Sequence, residues 1–309
     1  MPFQRIKENA EYLYNLSHTY PYPYPPPSPT PTASAAAPTA LTSDRKIYSA
    51  VPKSFSTSVT PGNVYHRFLS WDHCYDAFGN VFAPTATATA TATVTLQLKD
   101  YLALHLAYFL ASWGMYRGSS FLLQVDYKAL IPIVDKILCI DPSSGTFVYQ
   151  SLFGIDWSTL NAVQKQTNID LLFDKTNGLV NFISNHFNNI RNYVVFITGS
   201  SLTFPPTPVT SNNPVSPILV SKVLLGTLGC VPAYDDFFTQ GIRKISPPTT
   251  TTIRITRTFG SASINDLISL YSAPTNTPYD FNPPRRNMIT PGGRVYPEMK
   301  FLDMGIWIY

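Results

Sequence analysis

The sequence predicts a mainly α-helical protein, built as a single helical domain with long Pro/Thr-rich surface arms and loops and one place for a short β-ribbon. Apolar side chains recur at helical spacing in several segments. Proline-dense and threonine-rich stretches interrupt those segments. The chain has 309 residues, 44% of them hydrophobic, which is ample material for a core. The predicted organisation is an N-terminal helix in residues 1–19, an arm in 20–64, and a helical domain in 65–309 with a Thr-Ala insertion at 84–95.

The N-terminal region divides into a helix and an arm. Apolar residues at helical spacing predict a short helix over Phe3–Leu16. It ends at "YPYPYPPPSPTPTASAAAPTA", Tyr20–Ala40, where proline fixes φ and removes backbone donors, so neither helix nor sheet is expected. Tyrosines between prolines suit docking into a groove. We interpret residues 20–64 as extended chain, which leaves two alternatives: a spacer, or an arm laid across a surface.

Several segments of residues 65–309 have the spacing of buried helices. The strongest prediction is a helix whose buried stripe is Leu102, Leu106, Phe109, Leu110 and Trp113. The other predicted helices are Tyr65–Asn80, a segment from Ser119 that is bent or broken at Pro132, a long region from an N-cap at Ser158 to about Asn192 with Leu179, Phe182, Ile183, Phe187 and Ile190 on one face, the segment "ILVSKVLLGTLGC" broken by Gly229, and "SINDLISLYS" capped by Ser263. Pro247–Gly260 is the one segment whose alternation is compatible with a strand.

The stretch "PTATATATATVT", Pro84–Thr95, alternates threonine and alanine strictly. In extended form it would display threonines on one face and alanines on the other, and an exposed strand edge pairs with whatever strand is available. The alternative is a disordered insertion. On the first reading the candidate lattice contacts are Thr85, Thr87, Thr89, Thr91 and Thr93, together with Tyr20, Tyr22 and Tyr24 of the arm.

The charge content bounds the partners. Charged residues make up only 13% of the chain, so the surface repels copies of itself weakly, which favours self-association. The net charge is +4, but no basic stripe interleaved with aromatics is present, so no nucleic-acid partner is expected. The longest apolar run, Tyr101–Met115, is shorter than the ~20 residues that span a bilayer, so no membrane insertion is expected.

The cysteines and histidines supply the titratable candidates. Three cysteines leave at least one thiol free or paired between molecules, so Cys74, Cys139 and Cys230 are candidates for an intermolecular disulfide. The alternative is buried, inert thiols. Their spacings fit no metal site, and we expect no metal and no cofactor. Histidines protonate first on acidification, which makes His18, His66 and His73 candidate pH-responsive residues for assembly promoted at mildly acid pH.

A catalytic constellation does not emerge from the sequence. Asp72, His73 and Cys74 are adjacent and cannot face one another as a triad. Cys74 activated by a distant histidine, His105 or His186, is the only nucleophile worth naming. Metalloprotease, dinucleotide-binding, Walker and nucleophile-elbow motifs are not found. We therefore assign no catalytic residue.

Four stretches carry a family resemblance: "SWDHCY" at Ser70, "LALHLAYFLASWGMYRGSSFLLQVDYK" at Leu102, "SKVLLGTLGCVPAYDDFF" at Ser221 and "YPEMKFLDMGIWIY" at the end of the chain. They resemble a family of functionally uncharacterised bacterial proteins. With the Pro-rich arm and the Thr-Ala tract added, the chain is similar to the octins, fungal matrix proteins of gravity-sensing crystals in zygomycete vacuoles that are believed to descend from such a bacterial ancestor. The resemblance implies a helical core, no established reaction, self-assembly into a vacuolar lattice, and disulfides within or between subunits.

Two function classes follow from the sequence. The first is a structural protein whose partner is itself, forming dense protein crystals in a vacuole that serve as gravity-sensing statoliths. The alternative is an enzyme or binding module related to the bacterial proteins, with Cys74, His73 and His105 as the first residues to test. The low-complexity additions discriminate between them, because a lattice can use them as contacts whereas an enzyme gains little from them.

Overall fold

The computed structural model describes residues 2–18, 69–82, 94–118, 120–198, 215–245, 255–272 and 282–308. Within these ranges no strand forms, and two isolated antiparallel bridges, Ile140–Phe147 and Ile289–Val295, are the extended pairings. One hydrophobic core runs through the described helices, which confirms the mainly α, single-domain prediction. The α-helices are α1 (Pro2–His18), α2 (Leu69–Phe82), α3 (Leu96–Ser112), α4 (Ile131–Ile137), α5 (Ala162–Phe173), α6 (Leu179–Thr198), α7 (Pro217–Thr227), α8 (Asp236–Ile245), α9 (Ser261–Tyr271), α10 (Asn282–Arg286) and α11 (Glu298–Trp307).

Helix α3 lies at the centre of the domain. Thr95 starts it by accepting a hydrogen bond from the backbone N–H of Leu98 at 3.2 Å. Of the predicted stripe, Leu102, Leu106, Phe109 and Leu110 are buried against α2, α4 and α7. Trp113, its last predicted member, is the C-cap residue and is partly buried. The ring of Phe109 lies where a side chain on Gly226 of α7 would stand, so that glycine sets how closely α3 and α7 approach.

Helices α4, α5 and α6 pack on one side of this centre. Asn161 and Gln164 form a capping box at the start of α5. Asp174 ends that helix by accepting from the backbone N–H groups of Thr176 and Asn177 at 2.9 and 2.7 Å. Leu179, Ile183 and Phe187 then face the core from α6, as predicted.

Helices α1, α8 and α11 form the other side. Helix α1 lies along α11, and α11 packs against α8. Ile6, Ala10 and Leu13 bury the inner stripe of α1. The Asn9 amide donates to the carbonyl oxygen of Gly305 at 3.1 Å, which satisfies a polar group inside this contact.

Two helix predictions were wrong in their boundaries. The segment from Ser119 forms separate 3-10 turns at Phe121–Gln124 and Tyr127–Leu130, and Pro132 stands in the first turn of α4. Proline is favoured there because that N–H has no partner within the helix, so Pro132 starts a helix rather than breaking one. The long region from Ser158 is two helices, α5 and α6.

Two predicted caps were also wrong. Ser158 lies in a 3-10 turn, Trp157–Thr159, and its backbone and hydroxyl bond to Glu298 instead of starting a helix. Ser263 lies inside α9, whose N-cap is Gly260, and its hydroxyl is paired with that of Tyr234. Helices α8, α10 and α11 were not predicted. Of the proposed β-ribbon, residues 255–260 form no strand and residues 247–254 lie outside the described residues.

Candidate functional site

The word "SWDHCY" has a structural explanation. The indole N–H of Trp71 donates to the carbonyl of Leu225 at 2.8 Å and fixes α2 on α7. The carboxylate of Asp72 accepts from the hydroxyl of Tyr296 at 2.6 Å. Just beyond the word, Asp76 accepts from the Thr290 hydroxyl at 2.6 Å. These buried carboxylates attach the 288–296 loop to α2, so they stabilise the fold rather than point at a cleft.

Of the three cysteines predicted as candidates for a disulfide between molecules, only Cys139 is accessible to solvent. Cys74 and Cys230 are fully buried, and burial raises the pKa of both thiols because it disfavours the thiolate. Neither can reach a neighbouring molecule in this fold. Cys139 is half-buried, with its pKa also raised by burial. All three are free thiols here, and Cys139 is the one with access to solvent. The buried position of Cys74 argues against its use as a nucleophile.

The predicted histidines lie in different places. His73 is exposed on α2, and it lies near enough to His105 of α3 to lower the pKa of that imidazole. His186 pairs with the carbonyl of Ala129 at 2.7 Å, which explains it as a structural residue. His18 is the last residue of α1, and His66 lies outside the described residues.

The predicted lattice-contact residues are not in the described part of the chain. Thr85, Thr87, Thr89, Thr91 and Thr93 of the Thr-Ala tract and Tyr20, Tyr22 and Tyr24 of the arm lie outside it. The tract leads into α3, whose first helical residue is Leu96.

Helix α3 presents a second apolar stripe on the side opposite its core contacts. We define the α3 outer face as Tyr101, Leu104, His105 and Tyr108, which share one side at the i, i+3, i+4 and i+7 spacing. Tyr101, Leu104 and Tyr108 are 50%, 51% and 51% exposed. The ring of Tyr101 stands edge-on to the imidazole of His105, with ring centres 4.4 Å apart. These four side chains carry no formal charge while His105 is neutral.

His105 is the titratable group of this face. Its pKa is lowered from its ordinary value, first by burial and then by the positive charge that His73 can carry. The imidazole therefore stays neutral to a lower pH than an ordinary histidine. Burial of this face against another molecule would lower the pKa further, because a charged imidazole would lose more water.

A group of buried charges lies between α7, α8 and α11. We call Lys222, Asp235, Lys300 and Asp303 the lysine–aspartate cluster. Lys222 lies 3.5 Å from Asp235, and Lys300 lies 3.2 Å from Asp303. The second oxygen of Asp303 accepts from the backbone N–H of Ala233 at 2.9 Å. Lys222 also donates to the carbonyl of Trp113 at 3.1 Å. The cluster is thus internally paired.

The cluster has little room for a ligand. Burial lowers the pKa of Lys222, opposed by Asp235, and burial raises the pKa of Asp303, opposed by Lys300. The cavity that these residues line with Phe109 and Trp113 has a volume of ≈ 10 Å³, enough for about one water molecule. An activity at this place would need the surrounding helices to open. Sequence reasoning missed the cluster, although Lys222, Lys300 and Asp303 stand out as charges in apolar helical runs.

A buried carboxyl starts α11. Glu298 is fully buried and accepts from the backbone N–H of Ser158 at 3.1 Å and from its hydroxyl. Burial raises its pKa to about 7, although the hydrogen bonds from Ser158 favour the charged form. The ion pair of Arg285 and Asp156, at 2.9 Å, lies near Glu298. We read this group as part of the helix start, because its partners are all within the fold.

Known proteins give no guide to these sites. No family model, no curated protein and no solved structure matches the chain. Among the described residues, no group of three or more histidine, cysteine, aspartate or glutamate side chains is arranged to hold a metal ion. In the same ranges no helix is long and apolar enough to cross a bilayer.

Proposed function

We propose that this protein is a structural protein that assembles with copies of itself, and that the α3 outer face is one of its contacts. The observation that carries the proposal is the three large apolar side chains of that face, each about half exposed on one helix. An exposed apolar patch of a few hundred Å² is often a functional contact site. A second copy is the occupant that the low charge content favours, since copies repel each other weakly.

The size of the face suits a lattice better than a stable dimer. Three half-exposed large side chains supply on the order of 300 Å² of apolar surface. A specific dimer usually buries about 800 Å² on each partner. A lattice needs several directional contacts per molecule, each individually modest, and it gains stability from their repetition. The α3 outer face has the size of one such contact.

The resemblance to the octins supplies the setting of the proposal. On that basis the assembly is a dense protein crystal in a vacuole, where it serves as a gravity-sensing statolith. The arm in residues 20–64 and the Thr-Ala tract then provide further contacts. Cys139, the half-buried thiol, is the candidate for a disulfide between subunits. The low charge content supports self-association, whereas the vacuole and the gravity-sensing role rest on the resemblance alone.

The proposal is tested by placing a charge on the α3 outer face. Light scattering and negative-stain electron microscopy are recorded from pH 8 to pH 5, with and without reductant, for the wild type, Leu104→Asp and Val163→Asp. Val163 is a matched control, because it is 75% exposed on a different helix, α5. We expect ordered particles from the wild type and from Val163→Asp, and none or far fewer from Leu104→Asp at an unchanged melting temperature.

Each contrary result removes a defined part of the proposal. Normal assembly of Leu104→Asp would show that the α3 outer face is not a contact. A wild type that stays monomeric under every condition would remove the proposal as a whole. In that case the lysine–aspartate cluster would be the next place to search for a ligand, with Lys222→Met as the first variant.

A further inference from the structure

Helix α1 packs on the rest of the domain through one face, and residues 19–68 connect it to α2. Its inner stripe, Ile6, Ala10 and Leu13, is buried against α11. The outer positions, such as Gln4 and Arg5, are exposed. Helix α1 therefore packs on the domain in the way that a separate helical peptide would bind to it.

The contact between α1 and α11 is specific. Gly305 of α11 lies directly under the backbone of Ile6, where a side chain would collide with the Ile6 carbonyl oxygen. At the other end, the hydroxyl of Tyr14 donates to the carbonyl of Ile289 at 3.1 Å and accepts from the Ile289 N–H at 2.9 Å. The ring of Tyr14 meets that of Tyr296 edge-on, with centres 5.3 Å apart. We call this docking place, formed by α11 and the 288–296 loop, the α1 groove.

The chain between α1 and the domain is long. About 50 residues, 19–68, separate His18 from Leu69. A fully extended chain of that length spans at most ~180 Å. A compact chain of 309 residues has a radius of gyration of only about 19 Å. The connection is thus long enough for α1 to reach the groove of a neighbouring molecule as well as its own.

We propose that in assembled protein α1 exchanges between copies, so that each molecule inserts its α1 into the α1 groove of a neighbour. The contacts of α1 are the same within and between molecules. Exchange therefore costs little free energy beyond the loss of the high effective concentration that the connection gives α1 at its own groove. In a dense phase neighbouring grooves are always near, which removes most of that loss. Each copy then gives one helix and receives one, a head-to-tail pattern that extends an array. This inference rests on the proposed self-assembly and adds to it a second contact.

The exchange can be tested with two variants of the full chain, each carrying one accessible thiol. Both carry Cys139→Ser, and Cys74 and Cys230 are buried. The donor variant is Tyr14→Cys and the acceptor variant is Ile289→Cys. A short bis-maleimide joins these positions only when the α1 of one chain lies in the groove of the other. The double variant, with both thiols in one chain, is the control for the reach of the reagent.

A covalent donor–acceptor dimer, formed when the two variants are mixed before assembly, is the result we expect. It should be much weaker when each variant is first diluted as a monomer. Assembly without this dimer, while the double variant still closes its own crosslink, would overturn exchange and leave the proposed function standing. The dimer in concentrated protein that forms no ordered particles would support exchange and remove the proposed function. Neither product nor particles would remove both.

A complementation experiment gives an independent readout. Ile6→Asp disables α1 and leaves the groove open, whereas Gly305→Leu blocks the groove and leaves α1 intact. Neither variant alone can seat α1, but a mixture can seat the Gly305→Leu helix in the Ile6→Asp groove. We expect a heterodimer on size-exclusion chromatography from the mixture and from neither variant alone. Should Gly305→Leu fail to fold, Gly305→Ala, with a smaller collision, takes its place.

Discussion

Helices α1 and α3 have the same length, 17 residues each, and make opposite use of their apolar surface. Helix α1 has one apolar stripe, and α11 covers it. Helix α3 is apolar almost all round. The domain covers its inner stripe and leaves Tyr101, Leu104 and Tyr108 about half exposed. The surface of α1 is matched to the domain, whereas α3 has more apolar surface than the described residues bury.

This difference between α1 and α3 corresponds to two ways in which a protein can bind another copy of itself. A matched helix on a long connection, such as α1, can be exchanged, since its partner surface is already complete. A surplus face, such as that of α3, can bind a second molecule without displacing a contact, because nothing in the described residues covers it. Truncating a side chain of the matched helix should lower the stability of the fold, whereas truncating one of the surplus face should leave the stability unchanged.

The largest effect we expect comes from a matched pair of truncations. Ile6→Ala removes a fully buried side chain from the α1 contact and should lower the free energy of unfolding by about 2–5 kcal/mol. Leu104→Ala removes an exposed side chain of α3 and should change it by less than about 0.5 kcal/mol. Urea denaturation followed by circular dichroism measures both.

The effect on assembly should distinguish Leu104→Ala from the wild type, although its effect on folding stability does not. Leu104→Ala should raise the protein concentration needed for assembly, while its unfolding curve stays that of the wild type. A large loss of folding stability in Leu104→Ala would show that the α3 outer face is already covered within one molecule. That result would end the distinction between a matched helix and a surplus face.

A second prediction concerns Glu298, at the start of the helix that receives α1. Its pKa is raised to about 7 by burial, so the folded state binds this proton more tightly than the unfolded chain does. The resulting stabilisation is complete below about pH 4.5, the ordinary range of a glutamate, and is lost as the pH rises through 7. Its full size is about 3 kcal/mol. The domain should thus become more stable as the pH falls from 8 to 5.

Glu298→Gln is the variant that assigns this effect. A glutamine keeps the shape and the hydrogen-bonding capacity of the protonated acid, so its unfolding free energy should lack most of the slope between pH 5 and pH 8. Glu8, which is not buried and lies on α1, provides a matched control as Glu8→Gln, for which the slope should persist. An unchanged slope in Glu298→Gln would place the pH dependence elsewhere.

The sequence predicted the parts of this fold that depend on neighbours within one helix. The buried stripes of α3 and α6 follow from spacing alone, and most of their predicted members are buried. Trp113, Phe182 and Ile190 are only partly buried. Pro132 was misread because a proline inside an apolar run fits a break as well as a first turn. The choice is made by the 3-10 turns ahead of it, which have no periodicity to detect.

The candidate sites were predictable only in part, for a similar reason. Spacing shows that α3 has apolar residues on every side, but which side remains uncovered depends on where α2, α4 and α7 pack. The lysine–aspartate cluster joins residues up to 81 positions apart, from Lys222 to Asp303, so no local pattern encloses it. Cys74 was a candidate nucleophile only through a distant histidine, His105 or His186, and its complete burial is a property of the packed helices.

The smallest effect we expect is a pH dependence of the surplus face itself. Contact through the α3 outer face would bury His105, whose pKa is already lowered by burial and by His73. Assembly through this face should therefore release protons and weaken as the pH falls below the ordinary histidine range near 6.5. This sign is opposite to the acid-promoted assembly expected from exposed histidines and carboxylates. The two are separated by His105→Gln, which stays neutral and should assemble at low pH better than the wild type, by roughly two- to tenfold in critical concentration.

His73→Gln is the companion variant for this measurement. Without the neighbouring positive charge the pKa of His105 should rise, so the loss of assembly should begin at a higher pH than in the wild type. Light scattering against pH gives the midpoint of each variant. Identical profiles for the wild type and His105→Gln would mean that His105 stays outside the contact. Wild-type assembly that strengthens on acidification while His105→Gln behaves the same would assign the pH response to groups away from α3, with His18 and His66 the next to replace. The α3 outer face would then associate through apolar contacts alone, and the protonation of His105 would play no part in assembly.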